Sequence, residues 1–350
     1  MSQQIDNAPS IWLDSLEWNQ VESGWLASQA QRLAGVMIAP GQVAGTVARS
    51  DVYDDRIRAL EAEGRPVRQI AEALLLDNAR QAADALQDRY AVSAGATGYV
   101  ALALNPTMAV AEQGIVAEGL RVAQEVDRPN LMVEVPATGA ALAAAETLTG
   151  YGINLLVSGI FTPSVYEVAA NVYLRGLESF FADRHAGQAP PAGAVRVPGG
   201  WLRGAVNGEL LRHGHQHRGE RATLATAALI HNSYEGLFGG SRWQKLAAAG
   251  ARPHGLLWDG WPAPHYRETI LVLSPAEWDA LAQEQTADSF WTEPLAEEDA
   301  WHELVALAES GLNLTELAER LRQETVSSLR EEYQELSEAI MERRMRFAFP

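Results

Sequence analysis

The chain has 350 residues, 47% of them hydrophobic, no cysteine and a formal net charge of −18. That length buries a large core and accommodates one large α/β barrel or two ordinary domains. The lack of cysteine excludes disulfides and thiolate chemistry, and the negative charge opposes nucleic acid or anionic membranes, which call for clustered Lys and Arg.

The predicted elements run in chain order as short apolar stretches bounded by turn residues, with longer stretches of helical period between them. Strands are predicted at Ile11–Leu16, Gly35–Ala39, Tyr99–Leu104, Asn130–Val135, Ile153–Ser158, Ala194–Val197, Gly255–Trp258 and Glu268–Leu273. Helical periodicity marks Val67–Asp88, Met108–Glu125, Ala140–Leu148, Ser164–Ala182 and Ser241–Ala249. Strands alternating with helices point to a parallel sheet, and eight such repeats to a (β/α)₈ barrel. Residues 184–220, with Pro190, Pro191 and the triplet His213, His215 and His217, read as an irregular loop within a single 1–350 domain.

After Gly311 one long C-terminal helix is predicted over 312–347. Asn313 is its cap, Glu316 completes a capping box, and Leu314, Leu317, Leu321, Leu329, Leu336 and Ile340 form its apolar stripe. That stripe is expected to pack along the barrel's outside or in a homodimer interface. Residues 1–7 are polar and do not resemble a signal peptide, and no run reaches the roughly 20 apolar residues of a membrane span. The expected location is cytoplasmic.

Several segments, in order, resemble the transaldolase family, particularly its actinobacterial form. They are Ile11–Leu16, Asp51–Leu60, Asp127–Thr138, Tyr173–Glu178 and Trp243–Pro253. The resemblance implies a class I aldolase-type barrel. It also implies that Glu134, in Leu131-Met-Val-Glu-Val-Pro136, stands where the family carries its Schiff-base lysine. A carboxylate cannot form the iminium that accepts electrons from a breaking carbon–carbon bond. The one lysine of the chain, Lys245, lies in an amphipathic helix and is expected at the surface.

Carried over in the same way, Ala103 replaces the family's third-strand glutamate, Ala39 its second-strand asparagine and Val165 an arginine of phosphate recognition. Arg203 corresponds to a second phosphate-binding arginine. Ser158 and Thr162 keep hydroxyls where the family has threonine and serine, and Asp14 is unchanged. The loop 259–265 replaces small polar residues with Trp261, Pro262 and Pro264, poor material for a phosphate cradle. Ordinary transaldolase activity is therefore not expected.

Strand alternation puts Met132 and Glu134 on one face, pointing by resemblance into the barrel mouth with Asp14. Two carboxylates in a poorly hydrated mouth favour one protonated and one ionised group. The chemistry expected is acid–base catalysis by Glu134, Asp14 and Ser158: isomerisation, dehydration or cyclisation of a small metabolite, with specialised metabolism as the expected setting. Thr162, Asn105, Arg203, Trp258, Asp259 and Trp261 are the candidate substrate-binding residues. Tryptophans 201, 258 and 261, if they line the mouth, make that substrate apolar. The alternative is a relic site in a non-catalytic barrel with a metabolite-binding, regulatory or partner-binding role. No cofactor and no metal are expected, since the His213, His215, His217 triplet lacks rigid spacing and a carboxylate partner.

Overall fold

The structure, a computed structural model, describes residues 10–16, 20, 21, 23–107, 111–183, 188–215, 217–260, 263–266, 269–283 and 291–348. Eight parallel strands form a closed barrel in sequence order. They are β1 (Ser10–Leu13), β2 (Gly35–Ile38), β3 (Tyr99–Ala103), β4 (Leu131–Pro136), β5 (Leu155–Ser158), β6 (Gly193–Pro198), β7 (Gly255–Asp259) and β8 (Thr269–Leu273). Each predicted strand coincides with one of these, apart from end residues; Glu268, at the start of the last, lies outside the described residues, as does Met108, the first residue of the predicted helix Met108–Glu125. With helices between the strands, this is the (β/α)₈ architecture.

Contacts divide the chain into two units, Ile11–Glu134 with Val326–Pro350, and Val135–Thr325. In the first, β2 and β3 are continuous buried runs, as parallel strands covered on both faces must be. Their register pairs Val36 with Val100, and β3 pairs Ala103 with Glu134. Outside them lie α1 (Pro40–Arg49), α2 (Asp54–Ala62), α3 (Val67–Ala85) and α4 (Glu112–Val126). α3 buries Ile70, Leu74, Leu75 and Ala82, one apolar face at helical spacing. Asn130, fully buried, donates to the carbonyls of Ala83 (2.9 Å) and Gly98 (2.8 Å), so the entry to β4 leaves that amide nitrogen satisfied.

In the second unit, α5 (Gly139–Gly150) and α6 (Pro163–Ala182) follow β4 and β5. A side chain at Gly193 would strike the Tyr173 ring of α6, 2.7 Å from its nearest atom, which marks that residue as facing the helices. A side chain at Gly255 would instead meet Ala194 and Ile270 on neighbouring strands, which marks it as facing the interior. His254, 2% exposed, sits among Tyr166, Tyr173, Tyr234 and Phe238, with its Nε2 2.8 Å from the Tyr166 hydroxyl. Burial pushes its pKa down to about 3, so the ring is neutral.

Residues 184–220 are not an irregular loop. They contain β6, the helix α7 (Gly199–Arg212) and the start of α8 (Gly219–Gly239). Leu202, Val206 and Leu210, each 0% exposed, supply α7 with a stripe at four-residue spacing. They pack with Phe161, Leu307, Leu317 and Leu321. The remaining helices are α9 (Ser241–Ala248), α10 (Pro275–Gln283), α11 (Glu297–Glu309) and α12 (Leu314–Ala348). α12 starts where its cap predicts, with Glu316 N–H donating to Asn313 Oδ1 at 3.2 Å. Among the described residues no helix is long and apolar enough to cross a membrane.

Candidate functional site

β1 ends at Leu13, and the chain turns through Ser15, whose φ of 61° is left-handed. This bend leaves Asp14 half-buried at the strand's C-terminal end, with the Ser15 hydroxyl donating to its Oδ1 at 3.3 Å. Glu134, also half-buried, is the register partner of Ala103. A methyl group therefore stands beside the carboxylate where the resemblance implies a glutamate.

The C-terminal helix does not behave as an outer packing helix in this unit. Tyr333 of α12 donates its hydroxyl to the carbonyl of Ala103 at 2.8 Å, so the helix crosses the C-terminal end of β3. Its neighbour Glu332 accepts from the Gly41 N–H at 3.2 Å. That N–H is the first available donor of α1, because Pro40 occupies the opening position. Further along, Arg343 clamps Asp54 through Nε (2.5 Å) and Nη2 (3.0 Å), and Arg344 bonds Glu61 at 2.7 Å. The apolar stripe is used as expected, with Leu336 and Ile340 fully buried, but it carries polar side chains onto the strand ends.

Glu332 is the residue that sequence reasoning missed. Its pKa is raised, first by desolvation and then by the charges of Asp14, Glu134 and Glu335, against the lowering effect of the Gly41 bond. The charges of Asp14 and Glu134 thus reach Glu332, whose pKa lies above the ordinary carboxyl value. No local motif signals this, since 291 positions separate Glu332 from its Gly41 partner.

A folded-state pKa above the unfolded value means that Glu332 contributes stability below its ordinary value of 4.5 and loses it as pH rises through the raised one. Glu332→Gln keeps an acceptor for Gly41 and removes the charge. Its Tm is expected to exceed that of the unsubstituted protein at pH 7–8 by roughly one to a few degrees. The gap should close as the pH falls below about 4.5. Scanning calorimetry across this range measures it, and a lower Tm at pH 8 would contradict the assignment.

Asn105, beyond β3, accepts from the Thr107 N–H (2.9 Å) and hydroxyl (2.7 Å) and so closes a local turn. It lines a small cavity with Glu72, Leu102, Tyr333 and Ser337, on the side of α3 and α4.

In the other unit, Ser158 ends β5 and is 6% exposed. Leu156 pairs with Ala194 and Val157 with Val195, so Ser158 falls opposite Arg196 on the interior face. Arg196 is paired with Leu257 and Pro198 with Asp259, which places Arg196 and Asp259 on that same face. The guanidinium donates to Asp259 Oδ2 from Nη2 at 2.6 Å and from Nε at 3.2 Å. Asp259 thus lies on the interior face, and its partner Arg196 was not foreseen.

Trp258 takes the opposite face of β7. It is 2% exposed, and its indole N–H has no hydrogen-bond partner among the described residues. This corrects its reading as a substrate contact: one register step turns the ring towards the helical layer. Trp201 is 45% exposed on α7, and Trp261 lies outside the described residues. The tryptophans therefore give no support to an apolar pocket. Thr162 serves as N-cap of α6, its Oγ1 accepting from Val165 N–H at 3.4 Å. Arg203 is half-buried within α7, and its carbonyl packs against Gly219.

Lys245 is exposed on α9, as expected of a surface lysine. His213, His215 and His217 are exposed beyond α7, and among the described residues no group of three His, Cys, Asp or Glu side chains is arranged to hold a metal ion.

The comparisons agree with this architecture. A family model described as transaldolase/fructose-6-phosphate aldolase matches residues 11–340. A transaldolase of Thiobacillus denitrificans is 33% identical over 353 residues, covering 93% of this chain and 95% of that protein. Transaldolase 1 of Streptomyces coelicolor is 30% identical over 358 residues, covering 96% and 92%. A transaldolase of Parafrankia is 28% identical over 352 residues, covering 95% of each.

Proposed function

The chain belongs to the transaldolase/fructose-6-phosphate aldolase family, and we propose that within it this protein is an enzyme working by acid–base catalysis without a Schiff base. Glu134 is the base in this reading, with Asp14 as a second carboxyl group and Glu332, whose pKa is raised, as the candidate proton donor. The observation that carries it is that burial and then the charges of Asp14 and Glu134 raise the pKa of Glu332, itself bonded to the Gly41 N–H, in a unit that does not contain the only lysine of the chain. Carboxyl groups whose environments differ can divide the roles of donor and acceptor.

The reaction class that fits is proton transfer at a carbon next to a carbonyl, as in isomerisation, dehydration or cyclisation of a small metabolite. A base near such a carbon takes the proton, and an acid near the carbonyl oxygen meets the developing enolate. The site is built from oxygen acids alone, so no covalent intermediate with the protein is required.

The test needs no knowledge of the natural substrate. Small ketoses and aldehydes, incubated with the protein in D₂O, are expected to lose the NMR signals of their α-protons. Borohydride added with fructose 6-phosphate is expected to leave the protein mass unchanged. Covalent labelling within the barrel would show a Schiff-base enzyme and end the proposal.

A second reading, a non-catalytic barrel that binds a metabolite or a partner, is favoured by one observation: Tyr333 is seated on the Ala103 carbonyl. A correctly folded protein that exchanges no α-proton from any of these carbonyl compounds decides for it.

A further inference from the structure

The start of α8 gathers two arginines that acid–base chemistry at Glu134 does not use. Glu303 of α11 has a buried side chain, 2% exposed. Its Oε2 accepts from Arg218 Nη2 at 2.7 Å and from Arg221 Nε at 3.0 Å. Two guanidinium groups therefore lie side by side, against the repulsion of their like charges. A buried carboxylate needs a cation, but one arginine spanning both of its oxygens would meet that need. Here both bonds fall on Oε2, and Oε1, also buried, has no hydrogen-bond partner among the described residues. The triad thus serves Glu303 poorly and fixes two forks well. The remaining donors of Arg218 and Arg221 have no acceptor among the described residues, and their side chains are 37% and 57% exposed.

The helix end adds to the same positive charge. α8 has no side-chain cap at Arg218, and the Gly219 N–H donates to Asn207 Oδ1 at 2.8 Å. The N–H groups of Glu220 and Arg221, next in the first turn, have no acceptor among the described residues. Arg221 leans back towards that end, as helical side chains do. Two acids lie close along the chain, Glu220 in the turn itself and Asp299 one turn before Glu303. Both are exposed, and neither pairs with the arginines. Water screens such exposed carboxylates, so the triad keeps an excess of positive charge.

We propose that Arg218 and Arg221, held by Glu303 at the start of α8, bind the phosphate group of a small phosphate monoester. A planar carboxylate is satisfied by one fork, whereas a tetrahedral oxyanion accepts from two forks and a helix end together. The formal net charge of −18 repels polyanions such as nucleic acid and anionic membranes, which leaves a small anion as the occupant. The inference uses no residue of the acid–base reading and needs no turnover, so its failure is distinguishable from failure of that reading.

Calorimetric titration of the full chain at low ionic strength tests it, with inorganic phosphate, phenyl phosphate and acetate as probes. Both phosphates are expected to bind with a Kd below about 5 mM. Acetate should bind at least roughly ten-fold more weakly. Arg221→Gln leaves Glu303 its bond from Arg218, and is expected to weaken both phosphates by roughly ten-fold with the circular dichroism unchanged. Should that variant not fold, the triple variant Arg218→Gln, Arg221→Gln and Glu303→Gln removes the charges together and is expected to lose the same binding. Binding of neither phosphate, binding of inorganic phosphate alone, acetate binding as tightly, or unaltered binding in the folded variant would each overturn the proposal. Co-sedimentation with vesicles containing phosphatidic acid, lost in Arg221→Gln, would overturn it in favour of a lipid headgroup.

Discussion

Glu134→Gln is expected to slow α-proton exchange by about 10²–10⁴-fold, the usual contribution of a positioned general base. The amide matches the carboxylate in size and still accepts hydrogen bonds, but it has no basic oxygen to receive a proton. Glu134 is half-buried on β4 beside Ala103, a methyl-bearing neighbour that cannot take over the role. Asp14 remains, so residual exchange of a few per cent is compatible with the assignment. Glu332 adds a pH signature, since its raised pKa means that the protonated donor is depleted as pH rises through that value. Exchange should therefore fall on the alkaline side, and Glu332→Gln should abolish that limb. NMR in D₂O from pH 5 to pH 9 reads both effects. Exchange in the Glu134→Gln protein at the unsubstituted rate, with the fold intact, would remove Glu134 from the chemistry.

Acid is expected to destabilise the protein through His254. Its folded-state pKa of about 3 lies below the ordinary 6.5, because charging the ring would bury a cation among Tyr166, Tyr173, Tyr234 and Phe238. The unfolded chain therefore binds the extra proton first, and stability is lost as pH falls from about 6.5 towards 3. At roughly 1.4 kcal/mol for each pH unit inside that window, the loss between pH 6.5 and pH 5 is on the order of 2 kcal/mol. That is a large share of the 5–15 kcal/mol typical of folded proteins. Urea unfolding at the two pH values measures it. His254→Gln should be less stable at neutral pH but show a flatter dependence above pH 5. An unchanged slope would assign the acid sensitivity to other groups.

Much of the architecture was legible because it rests on local patterns. β3, Tyr99–Ala103, and β5, Leu155–Ser158, are apolar runs that have no other use than as buried parallel strands. The Asn313 cap announces α12 because its amide bond lies within three residues. α7 was misjudged for an instructive reason. Gly199, Gly200, Gly204 and Gly208 lower its helix propensity, and the histidines beyond it look like loop. The stripe of Leu202, Val206 and Leu210 was nevertheless present, and packing against Phe161, Leu317 and Leu321 outweighs the glycines.

The candidate site divides in the same way. Glu134 and Asp14 could be named from the chain, since strand period and family resemblance both assign a face to residues near them. The family itself was readable from ordered segments, and the match over residues 11–340 bears that out. Glu332 and Arg196 could not be named, because neither has a motif. Glu332 matters through a bond to Gly41 that closes across 291 positions, and Arg196 through Asp259, 63 positions later on the next strand. Short-range periodicity specifies strands, caps and faces, because those energies are paid within a few residues. Which carboxylate meets which helix end, and which arginine meets which aspartate, depends on chain closure over long separations, and only the folded barrel settles that.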